Sequence, residues 1–107
     1  MNDLVLDSRF ELVSESLSSS EEIQGYYVGD LLSFVIAKAT KGQMWLTVQT
    51  HPNVIAIASL LELSAVMIVE GAVIPEETII MAKEKDIAIV KTECPAVEVI
   101  QTLPRLG

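Results

Sequence analysis

The segment from Met44 to Gly71, MWLTVQTHPNVIAIASLLELSAVMIVEG, decides the fold. Residues 44–50 have the pattern of a strand, residues 54–62 are apolar with helical spacing, and residues 65–70 form a second, almost wholly apolar strand. A strand, a helix and another strand joined by short connections form the unit from which parallel sheets are built. An apolar strand of this kind is typical of a sheet that is covered on both faces.

The same alternation continues on both sides of this segment. Strands are also predicted for residues 10–14, 23–28 and 87–92, and helices for residues 31–39, 75–86 and 95–103. Residues 1–9 are predicted to be an N-terminal extension or short helix, and residues 15–22 a polar loop. We therefore predict one α/β domain over residues 1–107, a three-layer sandwich around a mainly parallel sheet of four or five strands. The two N-terminal strands are expected to pair antiparallel at an edge.

The apolar content favours a homodimer. Hydrophobic residues make up 50% of this short chain, more than its own core is expected to bury. The predicted helix 54–62 has two apolar stripes. These stripes are Val54, Ile57, Ala58 and Leu61 on one side, and Ala56, Leu60 and Leu63 on the other. One stripe packs on the sheet, and the other is either enclosed within the monomer or contacts a second subunit.

Charge and cysteine content exclude several classes of partner. With 15 acidic and 7 basic residues the net charge is −8, so binding to nucleic acid or to an anionic membrane is not expected. Cys94 is the single cysteine, and the sequence does not begin with a signal-peptide pattern, which favours the cytoplasm. No cofactor is implied.

Parallel sheets bind ligands beyond the carboxyl ends of their strands, so the topology nominates candidate residues before any motif does. A small polar or anionic metabolite is the ligand expected there, and helix N-termini add free N–H groups. Lys91, Glu93 and Cys94 belong to the loop that follows the last strand. The candidate ligand-binding residues are Asp30, Gln49, Thr50, His51, Asn53, Glu70, Gly71 and Thr92. Each also has a structural interpretation: Asp30 is a good N-cap for the helix 31–39, and Thr50 or Asn53 for the next helix.

His51 is the only histidine, and its role is open between a strand-to-helix corner residue, a ligand contact and a catalytic base. Cys94 and the carboxylates do not have the spacing of metal ligands around it, and a convincing nucleophile is missing. Phosphate-loop, dinucleotide, zinc-protease and serine-hydrolase motifs are absent from the sequence. We therefore predict no catalytic residues, no metal site and no enzyme activity.

Three longer stretches resemble the DRTGG-domain family: YYVGDLLSFVIAKA, WLTVQTHPNVIAIASLLELSAVMIVEG and PEETIIMAKEKDIAIVKTECPAVEVI. The resemblance implies an α/β regulatory domain related to the N-terminal domain of HPr kinase/phosphorylase. It also implies a link to iron-hydrogenase components, near which stand-alone versions occur. The Asp-Arg pair of the family is replaced around Gln49-Thr50-His51, and its Thr-Gly-Gly element by Val69-Glu70-Gly71. The kinase domain and its phosphate loop are missing, so kinase activity does not transfer.

Three hypotheses for the function follow. The first is a non-enzymatic, homodimeric module that senses a small ligand at the carboxyl ends of the strands. The second is an accessory module that docks on a redox enzyme of the iron-hydrogenase type or on a signalling enzyme. The third is a small enzyme that uses His51, Glu70 and Cys94.

Overall fold

Five strands and four helices alternate along the part of the chain that the computed structural model describes, residues 8–16 and 23–102. The elements in chain order are β1 (Phe10–Ser14), β2 (Gly25–Val28), α1 (Leu32–Lys38), β3 (Gln43–Thr47), α2 (Asn53–Leu60), β4 (Ala65–Ile68), α3 (Glu76–Glu84), β5 (Ile89–Thr92) and α4 (Ala96–Thr102). The predicted extension 1–9, the loop 15–22 and the end of the last helix fall largely or partly outside the described residues.

The strands form one sheet in the order β1-β5-β4-β3-β2. The strands β2 to β5 are parallel to their neighbours, and β1 pairs antiparallel with β5. The prediction of an α/β fold with a mainly parallel sheet is thus confirmed. The expectation that both N-terminal strands pair antiparallel at an edge is wrong for β2, which lies at the opposite edge and is parallel to β3.

The helices lie on both faces of the sheet but unequally. Strands β2 to β5 are added in chain order in one direction, and right-handed crossovers of this kind place α1, α2 and α3 on the same face. Val35, Ala58 and Ala82 from these helices share one core cluster. Val99 of α4 packs in the other cluster, on the opposite face. The sheet is therefore the middle layer of three.

The parallel strands end earlier than the sequence pattern predicts. The strand β3 stops at Thr47 and β4 at Ile68, although the strands predicted from the sequence extend to positions 50 and 70. After β3, the N–H of Val48 donates to a carboxylate instead of a strand. After β4, Glu70 adopts a left-handed backbone with φ 59°. Local hydrogen bonds at the strand ends thus override the sequence pattern.

The helix α2 leaves part of its second apolar stripe exposed. Val54, Ile57 and Ala58 of the first stripe are buried, whereas Ala56 is exposed and Leu60 is 72% exposed. Enclosure of the second stripe within the monomer is therefore wrong for these two residues. Contact with a second subunit stays a prediction. Within the described segments, the helices are all too short or too polar to cross a lipid bilayer.

Candidate functional site

The carboxyl ends of β2, β3, β4 and β5 meet at one edge of the sheet, which we call the rim. All eight candidate residues lie there, but the strand order divides them into two groups. The corner group follows β2 and β3 and contains Asp30, Gln49, Thr50, His51 and Asn53. The cleft group follows β4 and β5 and contains Glu70, Gly71 and Thr92.

Asp30 joins the ends of β2 and β3. Its Oδ1 accepts a hydrogen bond from Thr47 Oγ1 at 2.7 Å and another from the N–H of Val48 at 3.0 Å. The prediction that Asp30 caps α1 is wrong, because Leu31 is the N-cap residue and carries no side-chain cap. The Asp30 carboxylate is instead aimed at the neighbouring strand, where it satisfies a hydroxyl that is 1% exposed.

Gln49 completes this arrangement. Its Nε2 donates to the carbonyl oxygen of Asp30 at 3.1 Å, and its N–H donates to Thr47 Oγ1 at the same distance. The hydroxyl of Thr47 is thus both a donor and an acceptor within the corner group. These hydrogen bonds fix the conformation of the corner group. They also occupy several of the donors and acceptors with which a ligand would have to bond.

His51 has a structural role in the turn before α2. The N–H of Asn53 donates to His51 Nδ1 at 3.0 Å, so Nδ1 is an acceptor and a neutral ring carries its proton on Nε2. Pro52 is the N-cap residue of α2 and has no side-chain cap, so the predicted caps at Thr50 and Asn53 are wrong. The imidazole instead satisfies one N–H of the first turn.

Thr50 contributes its backbone to the packing of α2 and α3. Its carbonyl oxygen accepts a hydrogen bond of 2.6 Å from Thr78 Oγ1, and Thr78 is 1% exposed. This bond ties the start of α3 to the loop after β3. It holds the two helices in place at the rim.

The described contacts do not assemble a catalytic group. Across residues 8–16 and 23–102, no hydrogen bond joins the side chain of His51 to Glu70 or Cys94. Glu70 and Cys94 meet only through their backbones, where the Glu70 N–H donates to the Cys94 carbonyl at 3.0 Å. In the same segments, no three His, Cys, Asp or Glu side chains cluster closely enough to hold a metal ion.

The cleft group has a different construction. The Gly71 N–H donates to the Thr92 carbonyl at 2.9 Å, and Thr92 Oγ1 accepts from the N–H of Cys94. Glu70 and Gly71 both have positive φ, 59° and 68°, which turns the chain sharply away from β4. The Glu93 carboxylate lies over Gly71 so closely that a Cβ at position 71 would collide with its Oε2.

Beside this turn lies a cleft of about 480 Å³, which we call the β1–β5 cleft. It runs between β1, the end of β5 and the loop 71–74. Its charged lining comes from Arg9, Glu11, Lys91 and Glu93, and its apolar lining includes Ile74 and Ile79. Of the eight candidate residues, Gly71 and Thr92 line it.

Sequence reasoning placed Lys91 and Glu93 at the rim but missed Arg9, Glu11 and the apolar wall of this cleft. A signal was present, because Glu11 and Lys91 are the charged residues of two strands that otherwise carry no charge. The two are partners in the β1–β5 register and form an ion pair at 3.6 Å. The pairing of β1 with β5 was the missing information.

Burial raises the pKa of Tyr26, which packs against the core cluster on the α4 face of the sheet. The phenol of Tyr26 therefore stays protonated near neutral pH. Tyr26 does not belong to the rim.

Comparison with models of known protein families and with curated proteins gives no match. Among solved structures, the chain is similar to the CBS and DRTGG domains of the regulatory region of Clostridium perfringens pyrophosphatase. That region was crystallised with its activator, diadenosine tetraphosphate. The TM-score is 0.75 at 14% sequence identity, over 94% of this chain and 44% of the other. This chain thus spans less than half of that structure. Its resemblance to the DRTGG family is confirmed at the level of the fold.

Proposed function

We propose that this protein is a non-catalytic regulatory module that senses a small polar or charged ligand at its rim. The observation that carries the proposal is the β1–β5 cleft, which opens at the carboxyl ends of the parallel strands. The similar pyrophosphatase region is regulatory and binds a nucleotide activator, which supports a sensing role for this fold.

The corner group supports the non-catalytic part of the proposal. A general base needs a free acceptor within reach of the proton that it removes. His51 Nδ1 and the Asp30 carboxylate both accept hydrogen bonds that hold the local backbone. These hydrogen bonds support a structural role for both side chains rather than a catalytic one.

A thermal-shift screen tests the sensing role. Nucleotides, diadenosine tetraphosphate, phosphorylated metabolites and amino acids are added separately to the purified chain. A ligand at one hundred times its Kd adds about 2.7 kcal/mol to stability, which raises Tm by about 10 °C in a domain of this size. NMR then locates each ligand that stabilises the chain. Perturbed amides in the loops 48–53 or 70–73, or in the segment 91–94, support the proposal. A complete absence of stabilisation contradicts it.

A second candidate function is protein docking, favoured by a group of exposed apolar side chains at the β2 edge. We call it the corner patch: Leu31, Phe34 and Val48, which are 60%, 56% and 37% exposed. Leu31 and Phe34 are three positions apart at the start of α1, and Val48 is bonded to the neighbouring Asp30. Such a patch on a small domain is typical of an interaction surface.

The favoured occupant of the corner patch is a second copy of the chain. A redox enzyme of the iron-hydrogenase type, or a signalling enzyme, is the alternative partner. Sedimentation at high micromolar concentration should show a dimer that Phe34→Asp dissociates. Val97→Asp is the matched control, because Val97 is 70% exposed on α4 at the other face. A strict monomer, or equal dissociation by both variants, contradicts homodimer formation through this patch.

A further inference from the structure

The geometry points to an α-amino acid with an apolar side chain as the ligand of the β1–β5 cleft. This inference rests on the proposed sensing role and names the substrate class and the part of the rim that binds it. The cleft carries both signs of charge together with an apolar wall. A purely anionic ligand would meet Glu11 and Glu93, and a purely cationic ligand would meet Arg9 and Lys91.

The first element of the argument is the Glu93 carboxylate. It lies over Gly71 at the mouth of the cleft and is exposed. Within the described residues it has no hydrogen bond or ion pair. A carboxylate held beside a backbone turn without a cationic partner is a suitable acceptor for the ammonium group of a ligand.

The second element is Lys91. Its ammonium group is 3.6 Å from the Glu11 carboxylate, but the two side chains are 48% and 67% exposed. An ion pair with this exposure contributes little to stability, so Lys91 can turn towards a ligand carboxylate at small cost. The Glu11–Lys91 pair also makes no net contribution to the charge of the cleft lining.

The placement of these two groups suits a zwitterion. Lys91 lies in β5 and Glu93 is the first residue after this strand, and both line the cleft near the carboxyl end of β5. An α-amino acid carries its ammonium and carboxylate on one carbon, so it can contact both side chains at once. A phosphometabolite offers one of these charges, and a longer peptide separates them.

The third element is the wall formed by the loop 71–74 and α3. Ile74 and Ile79 are partly buried and line the cleft, and Ile74 also packs against the core beneath the α1–α3 face. They offer an apolar surface that the side chain of leucine, isoleucine or methionine could cover. The burial of that side chain would supply the hydrophobic part of the affinity.

NMR titration of the whole chain with L-leucine tests this inference, with two analogues that each lack one charge. Leucinamide lacks the carboxylate and N-acetyl-leucine lacks the ammonium group. Leucine is expected to perturb the amides of residues 71–74 and 91–93, and each analogue is expected to bind about tenfold more weakly. Glu93→Gln and Lys91→Gln should each weaken leucine binding about tenfold as well.

Matched controls separate the cleft from general charge effects. Glu98→Gln on α4 and Lys83→Gln on α3 change the same charges at exposed positions outside the cleft, and both should leave leucine binding unchanged. Equal binding of leucine and its two analogues overturns the inference, as does equal weakening by the control variants. If leucine gives no shifts but a nucleotide perturbs the rim, this inference alone fails. If every ligand class fails, the proposed sensing role fails with it.

Discussion

The two groups of the rim differ in what their polar side chains do. In the corner group, Asp30 and His51 accept hydrogen bonds from the backbone, and Asp30 also satisfies a buried threonine. Beside the cleft group, Glu93 lies over Gly71 at the open β1–β5 cleft, without a hydrogen-bonding partner in the described chain. Position at the end of a parallel strand therefore does not by itself define a binding residue; unused hydrogen-bonding capacity beside open space is the more useful criterion.

The largest expected effect tests the structural role of the corner group. Asp30→Ala removes the acceptor of a buried hydroxyl and of a backbone N–H, so it should destabilise the fold by about 2 to 3 kcal/mol. Urea unfolding at neutral pH measures this change, with Glu98→Ala as an exposed carboxylate control. A loss below about 0.5 kcal/mol would show that the corner does not depend on this carboxylate.

The next effect concerns Gly71, where the cleft group depends on the backbone. Gly71→Ala places a Cβ at φ 68° against the Glu93 carboxylate, and should cost about 1 to 2 kcal/mol. Part of this cost is strain at positive φ and part is displacement of Glu93. In a Glu93→Ala background only the first part should remain, which a double-mutant cycle measures. The same cost in both backgrounds would mean that Glu93 moves away freely.

A smaller effect separates the structural interpretation of His51 from the catalytic one. His51→Ala removes the acceptor for the Asn53 N–H and should cost about 1 kcal/mol, similar to the loss of a helix cap. His51→Asn should recover most of this stability, because a short amide oxygen can accept from the N–H two residues ahead. Thermal unfolding of the three proteins provides the measurement. Equal losses in both variants would contradict a capping role.

The smallest effect is expected at Glu93 itself. Glu93→Gln removes a charge without a partner in the described chain, so the free energy of unfolding should change by less than about 0.5 kcal/mol. Asp30→Ala, which removes the oxygen that accepts both hydrogen bonds, provides the comparison and should cost clearly more. Similar losses for the two variants, again measured by urea unfolding, would remove the distinction between the corner and the cleft.

Much of the fold could be predicted from the sequence because the βα repeats are regular. The apolar strand around Val66 and the capping-type Pro-Glu-Glu start of α3 placed those elements within a few residues. The sheet partner of β1 could not be predicted, because strand alternation gives the exposed face of a strand but not its neighbour. The pairing of Glu11 with Lys91, and with it the cleft, depended on that neighbour.

Prediction of the site was limited for a related reason. The predicted topology placed Asp30 and His51 at the rim, and both residues lie there in the structure. Their use within the fold depends on single hydrogen bonds, such as that from Thr47 to Asp30 across two strands. A sequence pattern specifies which atoms are able to bond but not which bonds they form.

The antiparallel pairing of β1 with β5 has a consequence for the order of folding. Each parallel strand joins a neighbour that is one βα unit away, whereas the bond from Ser14 Oγ to the Ile87 carbonyl spans 73 positions. Closing so long a loop costs more chain entropy, so β1 should dock late, onto a parallel sheet that is already formed. The cleft has β1 as one wall and would be completed by that last step. A ligand bound in the cleft would therefore slow the detachment of β1 from β5. The docking of β1 would then be the step of folding whose equilibrium depends on ligand concentration.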